Sequence, residues 1–248
     1  EAALADMRLS ITASPASFRG DGRLAAYRDA KASPTGLPTP WEKLDAVIQG
    51  WQGGTFNVLA AATSHGKSWL ACVTAEHLLR LGKTILLVTL EMSQQRIERR
   101  LDAIHYHIPF GKLRNAVMTD EEEEAWGTAM TVSRERPGDV LVADKKVVTT
   151  VQGVVALVHE HRPAMVVVDG GYRFEPLDRR KSGEWAAAQD TINAIQLAAE
   201  STNIPWHVTT QLNPPESAKK DKAHRGWNVR YAREWLIAPD VMVQLTQD

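Results

Sequence analysis

The sequence predicts an α/β fold with a mostly parallel, twisted sheet and helices on both of its faces. From Thr55 onward, short apolar runs alternate with longer helical patterns, as in a chain of βαβ units. Most of these runs lack alternating polar residues, which is typical of strands that are buried on both sides. A chain of 248 residues that is 44% hydrophobic suffices for one large domain, and a second full domain would not fit comfortably.

This alternation predicts six strands and five helices. The strands are TFNVLAA, KTILLVTL, DVLVA, AMVVVD, PWHVTTQ and DVMVQL, in chain order. The helices are expected over 67–81, 93–105, 120–130, 151–161 and 184–202. Thr119 precedes Asp120 and four glutamates, so we expect a capped helix start with acidic residues at the positive end of the helix dipole.

The two ends of the chain differ in composition. Residues 1–36 are rich in Ser, Pro, Gly and Thr and are interpreted as a linker with one short helical piece, RLAAYRDA. Residues 37–248 are expected to form the single large domain.

Composition and charge limit which classes of protein this chain can belong to. No run of about 18 apolar residues and no signal-peptide pattern is present, so we expect no membrane partner. The single cysteine, Cys72, excludes an intramolecular disulfide and favours a reducing compartment, which together predict a cytoplasmic protein. Because the net charge is −1, any nucleic-acid contact must come from local basic segments.

The segment AAATSHGKSW almost matches the phosphate-binding loop pattern GxxxxGK[ST], with Ala61 where the first glycine is expected. It lies between a predicted strand and a predicted helix, where backbone N–H groups can bind a triphosphate. Lys67 would contact the β- and γ-phosphates, and Ser68 would offer its hydroxyl to Mg²⁺. Since alanine keeps a small side chain at the turn, we expect the loop to bind a nucleotide. Its members are Ala61, Ala62, Thr63, Ser64, His65, Gly66, Lys67 and Ser68.

Three further polar residues end or follow predicted strands, and parallel strands bring their carboxyl ends to one edge of a sheet. Asp169 ends AMVVVD and is the candidate Mg²⁺ ligand, through a water molecule. Glu91 follows a strand and is the candidate base for the water that attacks the γ-phosphate. Gln211 ends PWHVTTQ, where its amide would sense the γ-phosphate. For each residue, an ordinary polar strand end stays open as the alternative.

Two predicted loops concentrate positive charge on one side of the sheet. The loop after Gln211 contains six Lys and Arg residues with Trp227 and Tyr231 among them, and a second loop follows the Asp169 strand. Basic residues interleaved with aromatic ones suit single-stranded nucleic acid, although charged surface loops are common. The candidate DNA-binding residues are Arg179, Arg180, Lys181, Lys219, Lys220, Lys222, Arg225 and Trp227.

Several segments in the same order resemble the C-terminal, RecA-like motor domain of DnaB-type replicative helicases, particularly those of tailed bacteriophages. The segment TGLPTPWEKLDAVIQGWQGGTFNVLAAATSHGKS is similar to that family's approach to its phosphate loop. VTLEMSQQRIERRLDA resembles its most distinctive stretch, a Leu-Glu-Met-Ser block after the second strand. MVVVDGGYRF and IPWHVTTQLN are similar to its magnesium-binding and Gln-ended strands, and REWLIAPDVMVQL to the segment leading into its next strand. The resemblance covers about Arg23 to the chain end.

The resemblance implies a P-loop NTPase fold and an ATP-dependent DNA helicase that moves on single-stranded DNA as a homohexameric ring. Under it Glu91 is the catalytic glutamate, ATP or another NTP is the substrate, and Mg²⁺ is the cofactor. RLAAYRDA resembles the linker helix that docks on the adjacent subunit. Primase and a helicase loader are the further partners it implies, in a bacterial or phage-infected cell.

Two features depart from the family pattern. Gly170 and Gly171 follow Asp169 where a bulky residue such as Tyr is usual, which puts the position of the adjacent DNA loop in question. The family's arginine finger lies beyond the strand DVMVQL, and its N-terminal domain would precede Glu1, so we expect a truncated chain and assign no finger.

Two other functions stay open. A RecA-like recombinase or recombination mediator shares the fold, the phosphate loop and the strand-end glutamate, but would form filaments on DNA rather than rings. The Leu-Glu-Met-Ser block and the basic loop favour the helicase. A nucleotide-dependent protein switch would instead show no salt-dependent affinity for single-stranded DNA.

Overall fold

A computed structural model describes residues 22–32, 36–176, 184–213, 228–229 and 234–246. The chain divides into two compact units, Glu1–Pro34 and Thr35–Asp248. The described part of the first unit is one helix, α1 (Gly22–Ala32), which confirms the short helical piece expected there. The assignment of these parts as linker and motor stays a prediction.

The second unit is built on a parallel sheet. Its strands are β1 (Phe56–Ala61), β2 (Thr84–Thr89), β3 (Asp139–Asp144), β4 (Met165–Asp169), β5 (Trp206–Asn213), β6 (Asn228–Val229) and β7 (Val241–Leu245). The order is β3-β2-β4-β5-β1-β7, in which every neighbouring pair is parallel, and β6 pairs antiparallel with the end of β5. The mostly parallel sheet and its predicted strands are confirmed.

Helices connect these strands. They are α2 (Glu42–Ile48), α3 (Lys67–Arg80), α4 (Gln94–His105), α5 (Phe110–Asn115), α6 (Asp120–Ser133), α7 (Val151–His161), α8 (Glu184–Thr202) and α9 (Glu234–Ile237). The predicted helices are confirmed, although α6 continues three residues past its expected end at Met130. Thr119 caps α6 through a reciprocal pair of hydrogen bonds with Glu122, as its sequence predicts. Within the described residues, none of the helices has the length and apolar character needed to cross a membrane.

The short helices α2 and α5 were not predicted. They contain 7 and 6 residues, too few for a full amphipathic repeat, and neither has a side-chain cap at its start. Each ends at a non-glycine residue with left-handed backbone, Gln49 (φ 58°) and Ala116 (φ 52°). Neither helix therefore has a side-chain cap at its start or a glycine at its left-handed end, and these are the strongest local signals of a helix boundary.

The sheet has a separate apolar core on each face, because successive residues of a strand point to opposite sides. On one face, Ile85 and Leu87 of β2 belong to a buried cluster with Cys72 and its neighbours on α3. On the other face, Leu86 and Val88 belong to a cluster that includes residues of α7 and α8. The central strands are therefore covered on both sides, as their unbroken apolar sequences predict, whereas the edge strands β3 and β7 are only partly buried.

Candidate nucleotide site

The candidate residues meet at the carboxyl edge of the sheet because several strands end there in register. Ala61, the last residue of β1, lies beside Gln211 of β5. Thr89, the last residue of β2, lies beside Asp169 of β4. Glu91 follows β2 by two residues. The parallel topology thus assembles side chains that are far apart along the chain.

The expectation that Ala61 lies at the turn of the phosphate loop was wrong, because this residue still belongs to β1. Ala61 is fully buried in β1, and the left-handed positions of the loop come later, at Ser64 (φ 66°) and Gly66 (φ 87°). A Cβ at Gly66 would meet no atom within 4 Å, so the backbone conformation requires this glycine and open space lies beside it. Helix α3 begins at Lys67, and the N–H groups of its first turn are suited to an anion.

Lys67 is buried, and its ammonium group lies against the backbone of its own loop. Its Nζ donates hydrogen bonds to the carbonyl oxygens of Ala61 at 3.0 Å and Ala62 at 2.9 Å. Burial lowers the pKa of Lys67, while the nearby charges of Glu91 and Asp169 oppose this effect. A contact with phosphate would replace these two carbonyl oxygens, so the role of Lys67 in nucleotide binding stays a prediction.

Asp169 is fully buried at the end of β4 and is held by two hydroxyl groups. Its Oδ1 accepts a hydrogen bond from Ser68 Oγ at 2.9 Å and one from Thr209 Oγ1 at 3.3 Å. Thr209 Oγ1 in turn accepts from the backbone N–H of Gly170 at 2.9 Å. The pKa of Asp169 is raised to about 6, mainly by burial; the Ser68 hydrogen bond opposes this increase, and the charge of Glu91 adds to it.

The oxygens of Ser68 and Asp169 suit a hard divalent cation. Asp169 Oδ2 is buried and has no hydrogen-bond partner among the described residues. A hydroxyl has one proton and two lone pairs, so Ser68 can donate to Asp169 and still present a lone pair to a cation. The described residues contain no cluster of three or more metal-ligating side chains. A donor set this small suits Mg²⁺, which usually keeps waters and substrate phosphate oxygens as ligands.

A chain of polar side chains within hydrogen-bonding distance of one another connects Glu91 with the phosphate loop. The Tyr172 hydroxyl donates to Glu91 Oε1, and Gln211 Oε1 lies 3.3 Å from the same hydroxyl. Gln211 Nε2 donates to Thr63 Oγ1 at 2.6 Å. Arg173 Nε lies 3.6 Å from Glu91 Oε1 on the opposite end of this chain. Burial and the bond to Glu91 raise the pKa of Tyr172 to about 12, so its hydroxyl remains a donor at neutral pH.

Close contacts on both residues explain Gly170 and Gly171. Gly170 has φ 88°, and a Cβ there would lie 2.6 Å from Glu91 Cγ. A Cβ at Gly171 would collide with the side chain of Val208 and lie 3.2 Å from the ring of Trp235. The bulky residue that is usual in the family would not fit here without rearrangement. The expected effect on the adjacent DNA loop concerns residues 177–183, which lie outside the described residues.

Three residues of this site were not predicted. Thr209 had a usable signal, since it precedes Gln211 by two positions in β5 and strand alternation places both on one side. Tyr172 and Arg173 lie in a 3₁₀ turn, Gly171–Arg173, directly after the Asp169 strand. Only the position of that turn makes their side chains part of the site.

All the candidate DNA-binding residues lie outside the described residues. They fall in the segments 177–183 and 214–227. They are Arg179, Arg180, Lys181, Lys219, Lys220, Lys222, Arg225 and Trp227.

A cavity of about 960 Å³ lies away from this site, beside α3, α4, α6 and β3. Its lining includes Glu76, His105 and Ser133, but not Lys67 or Asp169. His105 Nδ1 lies 3.0 Å from Glu76 Oε1, and its Nε2 lies 3.2 Å from Ser133 Oγ. These contacts join residues of α3, α4 and α6. We interpret them as a link between helices.

Comparisons with known proteins agree with the fold. Replicative DNA helicase DnaB of Geobacillus stearothermophilus is 23% identical over 219 residues, covering 86% of this chain and 48% of that protein. Replicative DNA helicase DnaC of Bacillus subtilis is 21% identical over 223 residues, covering 88% of this chain and 48% of that protein. The chain therefore spans about half the length of these curated relatives.

Solved structures share the architecture at low sequence identity. A DnaB-like replicative helicase, solved in a study of its interactions with primase, has a TM-score of 0.77 and 18% identity, covering 100% of this chain and 61% of that one. The ATPase domain of G40P has a TM-score of 0.78 and 16% identity, covering 95% and 85%. These likenesses confirm the predicted RecA-like fold.

The family model described as the DnaB-like helicase C terminal domain matches residues 36–226, which is most of the chain. The matched range includes the phosphate loop, Glu91, Asp169 and Gln211. The chain belongs to the DnaB-like helicase C-terminal domain family.

Proposed function

We propose that this chain is the NTP-hydrolysing motor domain of a replicative DNA helicase. The observation that carries the proposal is that Lys67 and Ser68, which begin α3 after β1, meet Glu91, which follows β2, and Asp169, which ends β4, at one edge of the sheet. Membership of the DnaB-like helicase family supports the same conclusion. ATP or another NTP is the proposed substrate.

The chemistry of the proposed reaction follows from the side chains at this edge. Lys67 and the N–H groups at the start of α3 bind the β- and γ-phosphates. Ser68 and Asp169 hold Mg²⁺, which when bound neutralises charge on the phosphate oxygens. Glu91 orients and deprotonates the attacking water, and Gln211 contacts the γ-phosphate through its amide.

The proposed motor moves along single-stranded DNA, which passes through a homohexameric ring with nucleotide bound between subunits. The two basic segments, 177–183 and 214–227, are the proposed DNA contacts, supported by their charge and by Trp227. Helix α1 is the proposed docking element for the adjacent subunit, supported by its exposed Leu24 and Tyr27. The structural relative solved in a study with primase supports primase as a partner, and a helicase loader is proposed by the same family resemblance. A motor of this kind works on DNA in the bacterial or phage-infected cytoplasm.

The test is NTP hydrolysis with and without single-stranded DNA. Lys67→Ala is expected to abolish nucleotide binding. Glu91→Gln is expected to lower turnover by about 100-fold or more while nucleotide affinity stays within a few-fold, because a general base acts on the chemical step. Lys83→Ala and Glu123→Gln are matched controls at exposed positions outside the site, and both should behave like the unmodified chain.

Each alternative function has its own outcome in this test. Turnover that survives Glu91→Gln, or that is indifferent to DNA, would contradict the helicase motor. Filaments on DNA rather than rings in electron micrographs would indicate a recombinase. Absence of any salt-dependent affinity for single-stranded DNA would indicate a protein switch.

A further inference from the structure

The Tyr172 hydroxyl has one proton but faces two acceptors. Glu91 Oε1 accepts its hydrogen bond, and Gln211 Oε1 lies 3.3 Å away as a second acceptor. A phenol donates one hydrogen bond at a time, so a closer approach of Gln211 competes directly with Glu91 for it. The hydroxyl therefore couples the position of the Glu91 side chain, after β2, to the position of the Gln211 side chain in β5.

The two acceptors have different tasks under the proposed function. Glu91 is the candidate base, and a base needs a lone pair within hydrogen-bonding reach of the water proton. Its Oε1 already accepts from Tyr172 and faces Arg173 Nε at 3.6 Å, so two donors of the 3₁₀ turn engage this oxygen. Gln211 is the candidate γ-phosphate sensor and is bonded to Thr63 of the phosphate loop at 2.6 Å.

The Glu91 side chain lies close to the backbone of Gly170. Its Cγ packs against the Gly170 backbone so closely that a Cβ at Gly170 would lie 2.6 Å from it. The side chain therefore lies along the start of the turn that also holds Tyr172. A hydrogen bond to a carboxylate in a half-buried site is stronger than one between neutral groups, so the Tyr172 contact has a substantial effect on where the carboxylate lies.

We propose that Tyr172 is a positioning residue that restrains the Glu91 carboxylate and releases it when Gln211 takes over the phenol hydrogen bond. The proposal rests on the proposed function and adds the regulation of that site. Tyr172 and Gln211 stand five and three residues before the segments 177–183 and 214–227, the proposed DNA contacts. DNA that moves either segment would therefore shift the balance between the two acceptors and free the base.

The test is Tyr172→Phe, which removes the hydroxyl and keeps the ring. We expect turnover without DNA to rise about tenfold, the typical effect of losing one charge-assisted hydrogen bond. Turnover with saturating single-stranded DNA should stay within about twofold, so the stimulation by DNA falls. KM and the affinity for a fluorescent ATP analogue should be unchanged, since the hydroxyl does not contact the phosphate loop. The added turnover should disappear in the double variant Tyr172→Phe/Glu91→Gln.

Tyr106→Phe is the matched control, because Tyr106 follows α4 and packs on His105 outside this site. It should leave both rates unchanged. An unaltered stimulation ratio in Tyr172→Phe, or an equal loss of both rates, would overturn the proposal even where Lys67→Ala and Glu91→Gln abolish turnover. If the unmodified chain hydrolyses no NTP, or its turnover survives Glu91→Gln, the proposed function fails and the role of Tyr172 fails with it.

Discussion

Replacing Asp169 with Asn tests the electrostatics of the site through stability alone. Asp169 is fully buried, and burial raises its pKa from an ordinary 3.8 to about 6. A carboxyl with a raised pKa binds its proton more tightly in the folded chain. The stability that this proton contributes is fully present below pH 3.8 and is lost as the pH rises through about 6. At neutral pH the ionised Asp169 therefore destabilises the fold.

The size of the effect follows from the two pKa values. The difference between 3.8 and about 6 means that ionisation of Asp169 lowers the free energy of unfolding by about 3 kcal/mol at pH 8. At pH 4.5 the decrease is roughly 1 kcal/mol. Asn does not titrate, so the free energy of unfolding of Asp169→Asn relative to the unmodified chain should fall by about 2 kcal/mol from pH 8 to pH 4.5. The packing cost of the amide is the same at both values and cancels.

Urea unfolding at pH 8 and pH 4.5, without nucleotide or Mg²⁺, measures this difference. Asp144→Asn is the matched control, because Asp144 ends the strand on the other side of β2 and is also buried. The N–H groups of Lys146 and Gln94 lower the pKa of Asp144, so its stabilisation is present at both pH values and is lost only below about 3.8. A difference for Asp169→Asn that is constant, or that grows as the pH falls, would refute this account of the buried carboxyl.

Two further predictions concern packing and capping, and the same unfolding titration measures both. Gly171→Ala should destabilise the fold by about 1–3 kcal/mol because its Cβ collides with Val208, whereas Gly127→Ala, with nothing within 4 Å, should stabilise α6 by about 0.5–1 kcal/mol. Equal effects of the two substitutions would contradict the packing argument. Thr119→Ala should cost about 1 kcal/mol by removing the hydrogen bond that Thr119 Oγ1 accepts from the Glu122 N–H, and Thr119→Ser should keep most of that stability. A loss as large with Ser as with Ala would show that the hydroxyl is not the cause.

Much of the candidate site was predictable because it follows from topology. A parallel sheet places the carboxyl ends of its strands at one edge, so Glu91, Asp169 and Gln211 could be assigned to one site from their places after apolar runs. The loop from Ala61 to Ser68 was recognisable because its spacing reflects the turn between a strand and a helix. Local patterns and strand direction were therefore enough to predict these residues.

The glycines after Asp169 show where this reasoning stopped. From the sequence they were departures from a family pattern, with no stated cause. The structure relates Gly170 to the side chain of Glu91 and Gly171 to Val208, which belong to other strands or to the loops after them. Whether a side chain fits at such a contact depends on differences of a few tenths of an ångström in the distance between segments. Hydrophobic periodicity carries no information about these differences.

By itself the sequence determined the parallel α/β fold and the places of the candidate residues in the loop after β1 and near the strand ends, because periodicity and spacing encode local structure. The tertiary structure alone decided which groups touch. It placed Tyr172 between Glu91, 81 positions earlier, and Gln211, 39 positions later. It also left one oxygen of Asp169 without a hydrogen-bond partner among the described residues. Such pairings arise only when the strands are assembled side by side, since no local interaction along the chain specifies them.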